Sequence, residues 1–171
     1  MTPSKLPQIK LLLLDVDGVL TSGHIIYSNA GMETKAFHAK DGLGIKLLMN
    51  AGIDIGIVTG RSSEALFQRC NDLGIKLIFD DIKEKGAILD TILSRTGLLA
   101  EQVAFMGDDL PDISLLKKVG VSVAVADAHE SVKKSVDIIT HEKGGNGAVR
   151  EVCEMLLKAN GLWDNIIKNC I

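Results

Sequence analysis

Five short apolar runs, at residues 9–14, 54–58, 76–79, 103–106 and 121–125, do most to limit what this chain can fold into. Each is mostly apolar at successive positions, so no wet face alternates with a dry one. That is the pattern of strands covered on both sides. Segments of helical spacing separate them, at 42–50, 62–73, 83–96, 112–119 and 131–135, and a longer one follows at 148–159. In 62–73, Ala65, Leu66, Phe67, Cys70 and Leu73 make one stripe, and Gly74 ends the helix. In 148–159 the inward positions are Val149, Val152, Cys153, Leu156 and Leu157. Repeated strand–helix units imply an α/β fold, a Rossmann-like doubly wound parallel sheet with right-handed crossovers. The 171 residues suffice for one full core, so a single domain over 1–171 is expected.

The segment 24–37 breaks this rhythm. HIIYSNAGMETKAF reads as two short strands around Ser28, Asn29 and Gly31, a β-hairpin inserted directly after the first strand. No linker suggesting a second domain follows it. A ribbon outside the core needs another purpose, such as covering a site or pairing with another chain.

The formal charge of −3 offers no basic excess to offset phosphates, so nucleic acid is not expected as a partner. No apolar run reaches the length of a membrane span, and no membrane partner is expected. The opening MTPSKLPQIK lacks a signal peptide's apolar core and reads as a flexible lead-in. Cys70, Cys153 and Cys170 are odd in number and show no paired spacing, which suits buried or idle thiols in a reducing compartment, the cytoplasm.

The chemistry concentrates where the apolar runs end. LLLLDVDGV sets Asp15 at the carboxyl end of the first strand and Asp17 just past it. Ligands of open parallel sheets bind beyond the carboxyl ends of the strands. Two carboxylates there repel unless a cation joins them, and hard oxygen ligands suit Mg²⁺. Gly18 allows the backbone to curl, so that N–H groups can face an anion. The second run ends in Thr59-Gly60-Arg61, a hydroxyl and exposed N–H groups at a helix start. The third is followed by Lys83 and Lys85, and the fourth by GDDLPD with Asp108, Asp109 and Asp112. On residues alone, Lys83 reads as a solvated charge, and Asp109 and Asp112 as either supporting carboxylates or a helix N-cap. Mg²⁺, lysine and anion-binding N–H groups together are phosphoryl-transfer equipment.

This set resembles the haloacid dehalogenase-like phosphotransferases, whose four motifs match DVDGV at 15–19, Thr59, Lys85 and GDDLPD at 107–112, in order. The resemblance implies that Asp15 is the nucleophile, forming an aspartyl phosphate, and that Asp17 is the acid and base. It implies that Mg²⁺ is held by Asp15, the backbone carbonyl of Asp17, and Asp108, while Thr59 and Lys85 hold phosphate oxygens. Asp109 and Asp112 would support from behind.

A finer resemblance, over the hairpin, FHAKDGLGIKLL, TGRSSEALFQRCNDLGI and GGNGAVREVCE, is to the capless subgroup acting on 3-deoxy-D-manno-octulosonate 8-phosphate in lipopolysaccharide sugar synthesis. It implies an acidic sugar phosphate as substrate, contacted by His38, Lys40, Asp41, Gly42, Lys46, Arg61 and Arg69. Lys40, Lys46 and Arg69 would otherwise read as surface charges. It also implies a homotetramer in which the hairpin flap of 24–37 takes part and a neighbouring chain helps close each site, with a tail, 161–171, able to reach a neighbour. Two alternatives stand beside this reading: a phosphatase for a sialic-type nonulosonate 9-phosphate, and, more remotely, a phospho-accepting signalling domain.

Overall fold

The computed structural model describes residues 4–168. Strand β1 (Leu11–Leu14) is buried at every position, because it lies between two parallel neighbours, β4 (Asp54–Val58) and β6 (Val103–Gly107). Burying each leucine there contributes roughly 1.5–3 kcal/mol, which explains why the run carries no polar residue. Strand β5 (Leu77–Phe79) extends the sheet beyond β4. On the other side β7 (Val121–Ala124) and a two-residue strand, β8 (Ile138–Ile139), follow β6, giving the order β5-β4-β1-β6-β7-β8, parallel throughout. The chain builds outward from β1 in one direction and then in the other. The junction of β1 and β6 is therefore the point where strand order reverses, and crevices for ligands form there.

The ribbon is present as expected. Strands β2 (Ile26–Tyr27) and β3 (Glu33–Thr34) pair antiparallel, with Gly31 at φ 77° in the turn. The helices are α1 (Ala39–Asn50), α2 (Glu64–Leu73), α3 (Leu89–Thr96), α4 (Ile113–Leu116), α5 (Glu130–Lys133), α6 (Ala148–Ala159) and α7 (Trp163–Lys168). Helix α1 packs along α6, whose Val149, Val152, Cys153, Leu156 and Leu157 are all buried as expected. Among the described residues no helix is long and apolar enough to cross a membrane.

Several expectations need correction. Phe67 is 43% exposed, not part of the α2 stripe. Leu66, Cys70 and Leu73, at i, i+4 and i+7, already fill the inward line, and Phe67 lies about 100° round the helix from Leu66. The lead-in holds a tight turn at Leu6–Gln8 with Leu6 buried, and Lys10 continues the strand ladder from its N–H to the Gln102 carbonyl at 2.8 Å. The 83–96 helix is broken: a tight turn at Lys85–Ala87 precedes α3 and turns Lys85 inward. Cys70 and Cys153 are free and buried, while Cys170 lies outside the described residues. Of the tail, α7 packs on α6, with Trp163 beneath the Arg150 guanidinium (5.6 Å) and the Lys158 ammonium (5.1 Å). Residues 169–171 lie outside the described part.

Candidate active site

Asp15 follows β1, and its N–H donates to the Met106 carbonyl of β6 at 3.0 Å, which fixes it at the strand-order reversal. A wide turn, Val16–Leu20, comes next. Within it Gly18 has φ 101°, a region that side chains disfavour, and a Cβ there would collide with the Asp108 carboxylate. The turn is thus shaped to admit a carboxylate from β6. Asp108 begins the segment after β6, and Asp112 reaches back to accept from the N–H groups of Asp108 (2.9 Å) and Asp109 (3.2 Å). Lys85 is almost fully buried, and its Nζ donates to Asp15 Oδ1 at 2.7 Å and Asp112 Oδ1 at 2.5 Å.

Carboxylate oxygens of Asp15, Asp108 and Asp112 lie within 4.8 Å of one another. Three carboxylates share one ammonium, so two formal negative charges are left uncompensated. Burial is the main cause that raises the Asp15 carboxyl to about 6, against the pull of Lys85. Burial, then the charges of Asp15 and Asp112, raise Asp108 to about 8. All the donors are oxygens, and the Gly18 turn leaves Asp108 room, so the set fits a hard dication. Because Asp112 is committed to Lys85 and two backbone N–H groups, Asp15 and Asp108 are the carboxylates left to bind it.

A cavity of about 520 Å³ opens over this set, lined among others by Asp15, Asp17, Thr59, Arg61, Lys85 and Asp108. Asp109, Asp112 and Lys83 line it as well, so Lys83, read from sequence as a bland charge, belongs to its rim. The Thr59 side chain is buried, and its Oγ1 accepts the Arg61 N–H at 3.3 Å. Asp109 caps the turn that follows, accepting the Leu110 N–H at 2.8 Å. Asp15, Asp17, Thr59, Lys85, Asp108, Asp109 and Asp112 are therefore at one rim.

The expected substrate contacts are not gathered so well. Of seven, only Arg61 lines this cavity. His38 and Lys40 line a second one of about 530 Å³, together with His141, Glu142 and Arg150. Asp41 is buried and accepts the Arg150 N–H at 2.8 Å, which caps α6 from the first turn of α1. Gly42 lies against Arg69, and Arg69 Nη2 donates to the His38 carbonyl at 3.3 Å with its guanidinium over the Phe37 ring at 5.6 Å. Lys46 is exposed on α1. The physical reason is common to most of them: within one chain, this segment forms the joint between α1, α2 and α6, where Asp41 Oδ1 and Arg69 Nη2 take backbone partners while His38 Nδ1, Asp41 Oδ2 and Arg69 Nε stay buried without a hydrogen bond among the described residues.

Three ribbon residues that touch the lining side chains Asp17 and Arg61, namely Tyr27, Glu33 and Lys35, escaped the sequence reading. Lys35 forms an ion pair with Asp17 Oδ1 and another with Glu33 Oε1 at 2.9 Å. Arg61 Nη2 donates to Glu33 Oε2 at 2.8 Å and Tyr27 Oη at 3.2 Å, and its Nε stands 3.6 Å from Asp17 Oδ2. The available signal was the spacing of Glu33 and Lys35, which a period of two places on one face of the ribbon.

Comparison with known proteins places this geometry. A model for haloacid dehalogenase-like hydrolases matches residues 78–152. A 3-deoxy-D-manno-octulosonate 8-phosphate phosphatase of Salmonella typhi is 44% identical over 161 residues, which is 94% of this chain and 86% of that protein. One from Haemophilus influenzae is 45% identical over 157 residues, covering 92% and 87%. Among solved structures, the Moraxella catarrhalis phosphatase in complex with magnesium, phosphate and KDO superposes with a TM-score of 0.96 at 41% identity, over 98% of this chain and 96% of that one. The cobalt-bound Haemophilus influenzae enzyme gives 0.90 at 45% identity, over 93% of each. With identities of this size sustained across almost its whole length, the chain belongs to the haloacid dehalogenase-like hydrolases and, within them, to the family of 3-deoxy-D-manno-octulosonate 8-phosphate phosphatases.

Proposed function

We propose that this chain is a Mg²⁺-dependent phosphomonoesterase that hydrolyses 3-deoxy-D-manno-octulosonate 8-phosphate to the free sugar acid and inorganic phosphate. The observation that carries the reading is Asp15 at the strand-order reversal, held by Lys85 with the Asp108 carboxylate alongside. Asp15 attacks phosphorus in line, and the bond from phosphorus to the sugar oxygen breaks as the aspartyl phosphate forms. Asp17, on the cavity wall, gives a proton to the departing alcohol oxygen. It then takes a proton from the water that attacks the aspartyl phosphate, which releases phosphate and restores Asp15. The Thr59 hydroxyl and the Lys85 ammonium hold phosphoryl oxygens, and Arg61 at the mouth offers a two-pronged donor to an anionic group of the substrate. Mg²⁺, held by Asp15, Asp108 and the Asp17 carbonyl, would neutralise the carboxylate and phosphoryl charges as they meet. Asp112 holds Lys85 and the Asp108 backbone in place, while Asp109 caps the turn.

A homotetramer completes the proposal. The ribbon presents Ile26 (50% exposed), Tyr27 (61%) and Met32 (67%) beside the cavity, an apolar surface suited to a second copy of the chain. His38, Lys40 and Lys46 would then meet substrate only with a neighbouring chain's help. Cytoplasmic residence follows from the same reading, since the free thiols suit a reducing compartment.

The test is phosphate release, with Mg²⁺, from the eight-carbon 8-phosphate and a nine-carbon nonulosonate 9-phosphate side by side. A higher kcat/KM on the first is expected, together with loss of activity in chelator. A rate on the 9-phosphate equal or higher would refute the substrate assignment.

A further inference from the structure

We propose that Lys35 is a positioning residue for Asp17: from the ribbon of the same chain, it fixes the carboxylate of the acid–base group against the cavity wall. This rests on the role given to Asp17 above.

The ribbon is mostly exposed, yet the Lys35 side chain is only 2% exposed. Withdrawing an ammonium from water costs several kcal/mol unless it is paired at close range. A lysine that merely fastened a surface ribbon would gain under about 1 kcal/mol by its ion pair and could keep its charge in solvent. Here both partners of Lys35 are carboxylates, and they belong to a closed ring. Asp17 faces Lys35 with one oxygen and Arg61 with the other, and Glu33 joins the same two cations from the opposite side. Only Oδ1 of Asp17 accepts a hydrogen bond, from Lys35; among the described residues Oδ2 accepts none and has the Arg61 Nε 3.6 Å away, so Lys35 is the group that orients this carboxylate. Asp17 needs that support: it follows Asp15 by two residues in a turn of irregular backbone, where no helix or strand fixes its side chain. A proton donor must lie within hydrogen-bond reach of the leaving oxygen, and displacement by about 1 Å can cost on the order of 10²-fold in rate.

Dependence on the leaving group separates positioning from plain fastening. An alkyl phosphate expels a strongly basic alkoxide and needs the proton, whereas p-nitrophenyl phosphate expels a stabilised phenolate and does not. The quantity to measure is kcat/KM, which reports steps only through departure of the alcohol, for a sugar phosphate and for p-nitrophenyl phosphate. With Lys35→Met, we expect the sugar ester to fall about 10²-fold and the aryl ester less than about threefold. Lys35→Arg should recover part of the lost rate. Equal losses on both esters, or no loss, would overturn the proposal. If Lys35→Met does not fold, as judged by thermal unfolding, Glu33→Gln loosens the same ring and must discriminate between the esters in the same direction; equal loss there is again fatal. Asp17→Asn is the control for the underlying reading. Should it treat both esters alike, the acid–base role of Asp17 falls, whatever Lys35→Met does.

Discussion

Replacing Asp41 with alanine separates two roles for that residue. Family resemblance places Asp41 among the substrate contacts; the structure makes it the N-terminal cap of α6. The residue at the cap position of α6 is Gly147, at φ 108°, and it has no side chain to offer. Asp41 instead accepts the Arg150 N–H at 2.8 Å from a site about 1% exposed to solvent. Losing an N-cap costs about 0.5–2 kcal/mol, and a buried hydrogen bond to a charged acceptor about 1.5–3. Burial raises the Asp41 carboxyl above its ordinary range and so offsets part of the gain, which brings the expected loss to about 2 kcal/mol. For a chain of this length that lowers Tm by about 4–8 °C. Asp41→Asn keeps an acceptor oxygen and should lose less than about half as much. Calorimetry and urea unfolding read the stability, and steady-state kinetics on the sugar phosphate read the site. The reasoning would be wrong if Asp41→Ala kept the wild-type Tm while raising KM about tenfold, a loss of about 1.4 kcal/mol in binding.

Lys85→Met leaves Asp15 and Asp112 without their shared cation, so the metal-free protein should lose about 3–5 kcal/mol in urea unfolding at neutral pH; the loss should shrink in acid, where those carboxyls protonate. Without metal, stability should also fall as pH rises. The folded chain holds protons on Asp15 up to about 6 and on Asp108 up to about 8, both from an ordinary 3.8, so it binds more protons than the unfolded chain between about 4 and 8. Mg²⁺ should therefore raise Tm more at pH 8 than at pH 5.5, and a metal-free Tm that climbs across this range would contradict the charge crowding. Gly18→Ala forces a Cβ against Asp108 at φ 101° and should weaken Mg²⁺ binding by about tenfold or more in titration calorimetry, at a strain of about 1–2 kcal/mol.

The sequence was most legible where a residue's environment is set by its own strand. Leu11–Leu14, with a neighbour on each side and cover on both faces, has to be apolar throughout, and the strand it predicts is there. The same logic carried Asp15, Thr59 and Asp108 to one rim, because parallel strands end on the same side of the sheet. Ile138–Ile139 was missed because two residues carry no period. Phe67 was misplaced because periodicity shows that a face is apolar without showing how much of it is filled.

The sequence by itself thus determined five of the six strands of the sheet, the carboxylates at its rim and the reaction they support, since these follow from chain order and strand polarity. Only the tertiary structure decided which polar groups are free for chemistry. Asp41 caps α6, Arg69 braces the start of α1, and Lys35 and Glu33 pair with Asp17 and Arg61 of the cavity lining. Each of those outcomes depends on pairing between residues distant in sequence: 109 positions separate Asp41 from Arg150, and 28 separate Glu33 from Arg61. A buried charge takes whichever partner the packing brings near, and local sequence pattern holds no record of that choice.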